Sequence, residues 1–298
     1  MSDPADNITP MPTTRTTPPR PLDITTLVPA LTPLARTATR LHPRPGSPSV
    51  HDSSIGGPLL WPTTHHWPHC DKWHEGPVSP MIPVAQLYVR DVPQLRPPGK
   101  TDLLQILWCP SEEHPPDHKP PTYLFWRTAA DVTQILTAPP QPSEPNTWYV
   151  PQPCVLAPEQ VTEYPDFLEL DKESQERLAD RSTWRTAGDV MDSSYEAEPQ
   201  EFYTNELSTA PGWKIGGWTR WGLTDPTPRF CIHCGTRMTP LLTIASDEWH
   251  PDNKTWIPYE DQADKADSNP PDVTVIDANH LQLYACPEHP THHTDLVQ

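Results

Sequence analysis

The sequence predicts a sheet-dominated α+β fold, with an internally duplicated β-rich unit in pseudo-twofold arrangement and long Pro-rich loops. Three observations predict it. Proline accounts for 44 of 298 residues, against a usual ~5%. Proline interrupts helices and the interiors of sheets, so long helices and coiled coils are excluded. The apolar runs have the length of strands, and none approaches the ~20 residues of a membrane helix. Four landmarks also recur in the same order in the two halves of the chain.

The landmarks begin with Ile55-Gly56-Gly57 and Ile215-Gly216-Gly217, in a chain with only 11 glycines. Next comes a ligand pair, Cys70 with His74 in the first half and Cys231 with Cys234 in the second. Then follow Met81-Ile82-Pro83-Val84 and Met238-Thr239-Pro240-Leu241. The series ends on Leu104-Gln105 running to Cys109-Pro110, and Leu281-Gln282 running to Cys286-Pro287. Two copies are too few for a solenoid, so they are expected to share one domain.

In chain order, residues 1–22 are polar and Pro/Thr-rich and read as a disordered arm. Residues 23–298 read as a single domain: repeat 1 over about 41–160, a connecting region over 160–210, and repeat 2 over about 210–290. Leu27, Leu31 and Leu34 share one helical face behind Asp23, but Pro29 and Pro33 limit them to a short or kinked helix ending near Thr39. Residues 41–54 read as a loop. Strands are expected at Ile82–Val89, Leu103–Cys109, Tyr123–Arg127, Trp148–Leu156, Leu241–Ala245, Val273–Asp277 and Leu281–Ala285. Lys172–Asp180 and Glu201–Leu207 read as short helices, and 261–272 as a mobile loop. Aliphatics are scarce, and the 12 Trp and 8 Tyr partly replace them in the core.

Charge narrows the partners. The chain carries 39 acidic and 21 basic side chains, a net −18. Such a chain lacks the basic footprint of nucleic-acid binding and suits a basic protein partner. MSDPADNITP has neither the basic nor the apolar part of a secretory signal, so a cytoplasmic location is expected. The excess of Arg (14) over Lys (7) is associated with GC-rich bacterial genomes. In a reducing compartment the 6 cysteines are read first as metal ligands rather than disulfides.

Cys231-x2-Cys234, with Gly235 letting the backbone curl beneath it, has the spacing of a zinc knuckle. Cys286-x2-His289 follows an expected strand and completes a Cys3His set for one structural zinc. The bland alternatives are a Cys231–Cys234 disulfide or buried free thiols. Repetition places a second set at Cys70, His74, Cys109 and His114, where His69, Glu113 and His118 compete for the same role. Cys154 fits neither set and reads as a core residue. His65-His66 and His292-His293 read as solvated pairs. Trp61, Trp67 and Trp73 read as the apolar base of the first metal loop, in preference to a ligand groove. The acidic stretches 165–171 and 192–201 offer a face to a basic partner. There is no phosphate loop and no Gly-x-Ser-x-Gly elbow.

Several of these motifs also resemble those of the YwqG-like family. They are Leu41-His42-Pro43-Arg44-Pro45-Gly46, Ser53 to Pro58, Trp61-Pro62, Trp67-Pro68-x-Cys70, Val84 to Leu87, and Lys214-Ile215-Gly216-Gly217-Trp218. The resemblance runs from about 25 to 290. It implies a cytosolic, sheet-dominated α+β protein with no established activity, and an immunity-type role against a toxin. It supplies no catalytic residues. The reading that follows is a zinc-stabilised binding or adaptor protein, not an enzyme, with a basic toxin as one possible partner. The competing reading is a metal-dependent hydrolase working near Cys70, His74, Cys109 and Glu113, which needs a three-ligand metal and a nearby base.

Overall fold

The computed structural model describes residues 14–72, 78–111, 114, 119–185, 187–188, 190–262 and 266–298. Within them the fold is sheet-dominated α+β, built from two antiparallel six-stranded sheets and a few short helices. The strands are β1 (Arg36–Arg40), β2 (Arg44–Pro45), β3 (Ser54–Ile55), β4 (Ile82–Tyr88), β5 (Leu103–Trp108) and β6 (Thr122–Arg127). They continue with β7 (Cys154–Val155), β8 (Glu159–Glu163), β9 (Lys214–Gly216), β10 (Thr239–Ala245), β11 (His280–Ala285) and β12 (His293–Val297). The first sheet has the order β2-β7-β3-β4-β5-β6, and the second β8-β1-β9-β10-β11-β12.

Both sheets contain the same series of pairings, a repeat-like architecture. Ile55 faces Ala85 across β3/β4, as Ile215 faces Leu242 across β9/β10. The β4/β5 ladder slips between Pro83 and Ala85, and the β10/β11 ladder between Pro240 and Leu242. Proline cannot donate to a ladder, so the shared Met-x-Pro stretch explains why each hairpin bulges there. Beyond the bulge the Leu-Gln landmarks are buried and bonded across the hairpin. Gln105 donates to Gln86 at 2.9 Å, and Thr243 donates to Gln282 at 2.9 Å.

The sheets share a core. Leu104, Ile106, Trp108 and Tyr149 of the first half pack with Trp213, Ile215, Leu242, Ile244 and Leu283 of the second. The chain crosses from one sheet to the other twice, along a single ribbon. β1 pairs with β8 and β2 with β7 in one continuous register, from Arg36↔Glu163 to Pro45↔Cys154. In the second sheet β1 is the inner strand of this ribbon; in the first sheet it is β7.

The crossing carries charge inward. Arg40 is fully buried and donates to the carbonyls of Trp256 (2.8 Å) and Glu248 (3.3 Å). Arg44 and Arg15 both pair with Asp261. These contacts correct the expectation of a disordered arm for 14–22. Arg15 is buried, Thr17 donates to Glu159, and Arg20 lies 3.5 Å over the Trp256 ring. Residues 1–13 lie outside the described residues.

His42 sits at the crossing in a left-handed conformation, φ 46°. Its Nε2 meets Glu159 at 3.0 Å and its Nδ1 lies 3.9 Å from Glu248. Burial and the adjacent Arg40 push its pKa down to about 4 despite Glu159. The unfolded chain therefore takes up this proton near ~6.5, while the fold resists it. The His42 contribution is intact above about 6.5 and is lost as pH falls toward about 4. Glu248 has the opposite sign: burial raises its pKa, and its contribution fades as pH rises. The expected result is a melting temperature that falls less between pH 6.5 and 4 in His42→Asn, a residue that tolerates the left-handed φ. Parallel acid limbs for variant and wild type would remove His42 from this role.

A third layer packs beside the sheets. Two 3-10 turns, Ile24–Thr26 and Pro29–Leu34, bury Ile24 and Leu31 against α1 (Lys172–Ala179), α2 (Arg181–Arg185) and α3 (Pro199–Phe202). Asp171 caps α1 through the Ser174 amide, and α3 runs on into a π-helical turn, Tyr203–Ser208. The prolines at 29 and 33 hold the first segment to 3-10 geometry, and the chain is already strand by Arg36, not helix to Thr39. The expected Trp148–Leu156 strand is reduced to β7, because Pro151 and Pro153 break the run. Val273–Asp277 forms only a bridge at Val275, with Asp272 and Asp277 at positive φ. Among the described residues no helix is long and apolar enough to cross a membrane.

Candidate metal centres

Each sheet carries a cysteine cluster at the same corner, where the β3–β4 or β9–β10 connection meets the end of β5 or β11. In the second sheet a bridge between Phe230 and Arg237 closes a tight hairpin around the knuckle. The Cys231 amide donates to Thr236 O at 2.9 Å and Gly235 N donates to Cys231 O at 2.8 Å. Gly235 has φ 71°, the left-handed turn its sequence position requires. In the first sheet a bridge between His69 and Pro80 closes the corresponding hairpin, and the Cys70 amide donates to Ser79 O at 2.9 Å. In both cases the bridge joins the residue before the cysteine to the residue before Met81 or Met238.

Cys231, Cys234 and Cys286 bring their sulfurs within 4.8 Å of one another, and Cys70, Cys109 and His114 bring their ligand atoms equally close. The individual edges are informative. Cys234 Sγ lies 3.5 Å from Cys286 Sγ, Cys231 Sγ 3.4 Å from His292 Nδ1, and Cys70 Sγ 3.4 Å from His114 Nε2. Zn–S bonds of ~2.3 Å at tetrahedral angles put two sulfurs about 3.8 Å apart, and sulfur and nitrogen about 3.5 Å apart. The residues thus fit a tetrahedral ion, whereas a disulfide needs ~2.05 Å. All six cysteines are free thiols.

Hydrogen bonds favour the thiolate at Cys234 and Cys70. Cys234 accepts from the Thr236 hydroxyl and amide, which pulls its pKa down to about 7. Cys70 accepts from the Cys109 thiol and from His114, which takes it down to about 4, while the same bond and burial push Cys109 up. The amides of His289 and Glu288 point at Cys286 Sγ, although burial raises that thiol. N–H and O–H donors to a sulfur stabilise the thiolate form that a metal ligand needs.

Of the residues proposed from sequence, Cys231, Cys234 and Cys286 converge, and so do Cys70, Cys109 and His114. His289 contributes its amide to Cys286, and its ring stands 5.2 Å from that of His292. His292, read as solvated, is the ring that reaches Cys231. Its signal was in the pattern: His114 and His292 each follow the strand-end cysteine by five or six residues. His69 turns to the Trp67 carbonyl, 3.0 Å away. His74, Glu113, His118 and Trp73 lie outside the described residues. His65 and His293 are also partnered, by Arg127 and the Thr122 carbonyl. Cys154 is buried in the main core, where burial pushes its pKa up to about 12.

Beneath the clusters lie matching apolar bases. Trp61, Trp67, Met81 and Leu107 pack around Cys70 and Cys109, and Met238 and Tyr284 around Cys231 and Cys286. Neither a protein-family model nor a curated protein matches the chain, so the YwqG-like resemblance rests on its motifs alone.

Proposed function

We propose that the chain is a zinc-stabilised binding protein without chemistry of its own, built by duplication of a β-rich unit about a pseudo-twofold axis. The observation that carries this is the occurrence of two clusters of metal-ligating side chains at matching corners of the two sheets, the first buried and the second buried except at Cys234. One zinc is held by Cys231, Cys234 and Cys286 with His292 as fourth ligand, which the 3.4 Å contact favours over His289. The other is held by Cys70, Cys109 and His114, with His74 as the fourth ligand from sequence. Closed four-ligand sites are structural, because no position remains for a substrate or a reactive water. Metal analysis should return two zinc ions per chain. His292→Ala should lower that number and His289→Ala should not; the reverse result would return the role to His289.

The partner follows from charge. At −18 the protein should attract a basic protein quickly at low ionic strength and leave DNA alone. An immunity-type role toward a basic toxin is the form the resemblance implies. Asp166 and Glu169 are occupied inside the fold, by the amides of Leu168 and Trp221 and by the Trp221 indole. The charge offered to a partner therefore comes from elsewhere, including Glu196 and Glu198, which are exposed. Cross-linking in the native cell should recover a basic protein whose complex dissociates near ~0.5 M salt, where screening shortens to about 4 Å. Recovery of nucleic acid instead would overturn this reading.

One observation favours the hydrolase as a second reading: the first cluster has three ligands among the described residues. X-ray absorption on the zinc-loaded protein separates the two. Four protein ligands at each ion support the binding protein, and a bound oxygen at the first ion supports the hydrolase.

A further inference from the structure

The two sheets differ at one place beside their clusters. Trp108 faces Ile82, and Ala285 faces Thr239, each one residue before its strand-end cysteine. Trp108 is fully buried; its ring meets Tyr149 edge-on at 5.7 Å and its N–H donates to Tyr149 O at 2.7 Å. The first sheet thus fills this volume with its own indole. The second sheet has only a methyl group there, and beside it opens a groove of about 740 Å³.

The groove is lined by Ile215, Leu241 and Ala285 on the second sheet and by Trp126 from the first. Arg36 and Arg96 also line it. Arg36 is stacked at 3.3 Å on Trp218, and Arg96 is exposed, with no partner among the described residues. The buried Glu163 is paired with Lys214, and Glu169, whose charge also acts on Arg36, accepts from the Trp221 indole. In a chain of charge −18, the groove lining carries two arginines and no carboxylate.

We infer that the groove binds a small aromatic anion. Its ring takes the space that Trp108 fills in the other sheet, against Trp126, and its carboxylate meets Arg96 and Arg36. The aromatic body supplies burial, of the order of 150–250 Å² for an indole-sized ring, and the arginines select for charge.

Indole-3-acetate is a suitable probe, with uncharged 3-methylindole beside it, titrated calorimetrically into the zinc-loaded protein. Wild type should bind the anion at sub-millimolar to millimolar concentration and more tightly than the neutral ring. Ala285→Trp, which copies Trp108, should abolish binding while keeping its zinc. Arg96→Glu, a surface change, should weaken the anion by about fivefold or more and leave 3-methylindole unchanged. If Ala285→Trp does not fold, Arg96→Glu decides alone. No binding by wild type, equal binding by folded Ala285→Trp, or an Arg96→Glu variant that binds the anion as wild type does would each overturn the inference.

Discussion

Replacing Cys234 with serine should release one zinc and lower the melting temperature by about 8–16 °C. The estimate follows from linkage. A metal bound only by the folded chain, with free ion a thousandfold above Kd, stabilises it by about 4 kcal/mol. For a chain of this size each kcal/mol moves the midpoint by roughly 2–4 °C. The physical cause is a long closure. The knuckle at 231–234 and the strand end at Cys286 are separated by 51 intervening residues, and a bound ion would tie them together beyond the β10/β11 pairing and the packing of Met238, Tyr284 and Leu296. Cys70→Ser should do the same at the first corner, and the two losses should nearly add because the clusters share no ligands. The check is zinc content beside thermal melts with and without chelator. Wild type that purifies without stoichiometric metal, and melts identically in chelator, would end the structural-zinc reading of both corners.

Much of the frame was legible because it follows from short-range chemistry. Apolar strands such as 82–88, 103–108 and 280–285 lie on buried faces, and their hydrophobic runs say so. The paired Met-x-Pro and Leu-Gln landmarks were legible as repetition, and they mark matched bulges and matched cross-strand bonds. The crossing ribbon was not legible. β1 reads RTATR and β8 reads EQVTE, which look like solvated loop. Two of their charges, Arg40 and Glu163, are nonetheless fully buried, because they find partners far away in sequence. Pattern reading assigns charge to the surface and has no term for a partner fifty or two hundred residues away. The same limit acted at the second cluster. The x2 spacing pointed to His289, whereas the turn after Cys286 sends the His289 amide toward the sulfur and carries His292 to Cys231.

The charge buried on that ribbon makes Glu163 the side chain whose loss should cost most outside the candidate metal centres. Its carboxylate is fully buried and accepts three hydrogen bonds: from Ala210 N at 2.8 Å, Lys214 Nζ at 2.6 Å and Trp218 N at 2.7 Å. It also explains the second glycine of the Ile-Gly-Gly triplet. At φ 69°, a Cβ on Gly217 would run into the Glu163 carboxylate. Glu163→Ala leaves the Lys214 ammonium buried with only the Trp218 carbonyl, 2.9 Å away, and strands two amides. Breaking a buried pair from one side costs roughly 3–5 kcal/mol, because the other charge stays behind. Removing both charges should be milder. Glu163→Leu with Lys214→Met should recover part of what Glu163→Leu alone loses, since apolar groups of similar volume need no partner. Urea unfolding of the single and double variants measures the difference. A single variant within about 1 kcal/mol of wild type would show that water reaches Lys214 and that the ribbon is not the anchor of the second sheet.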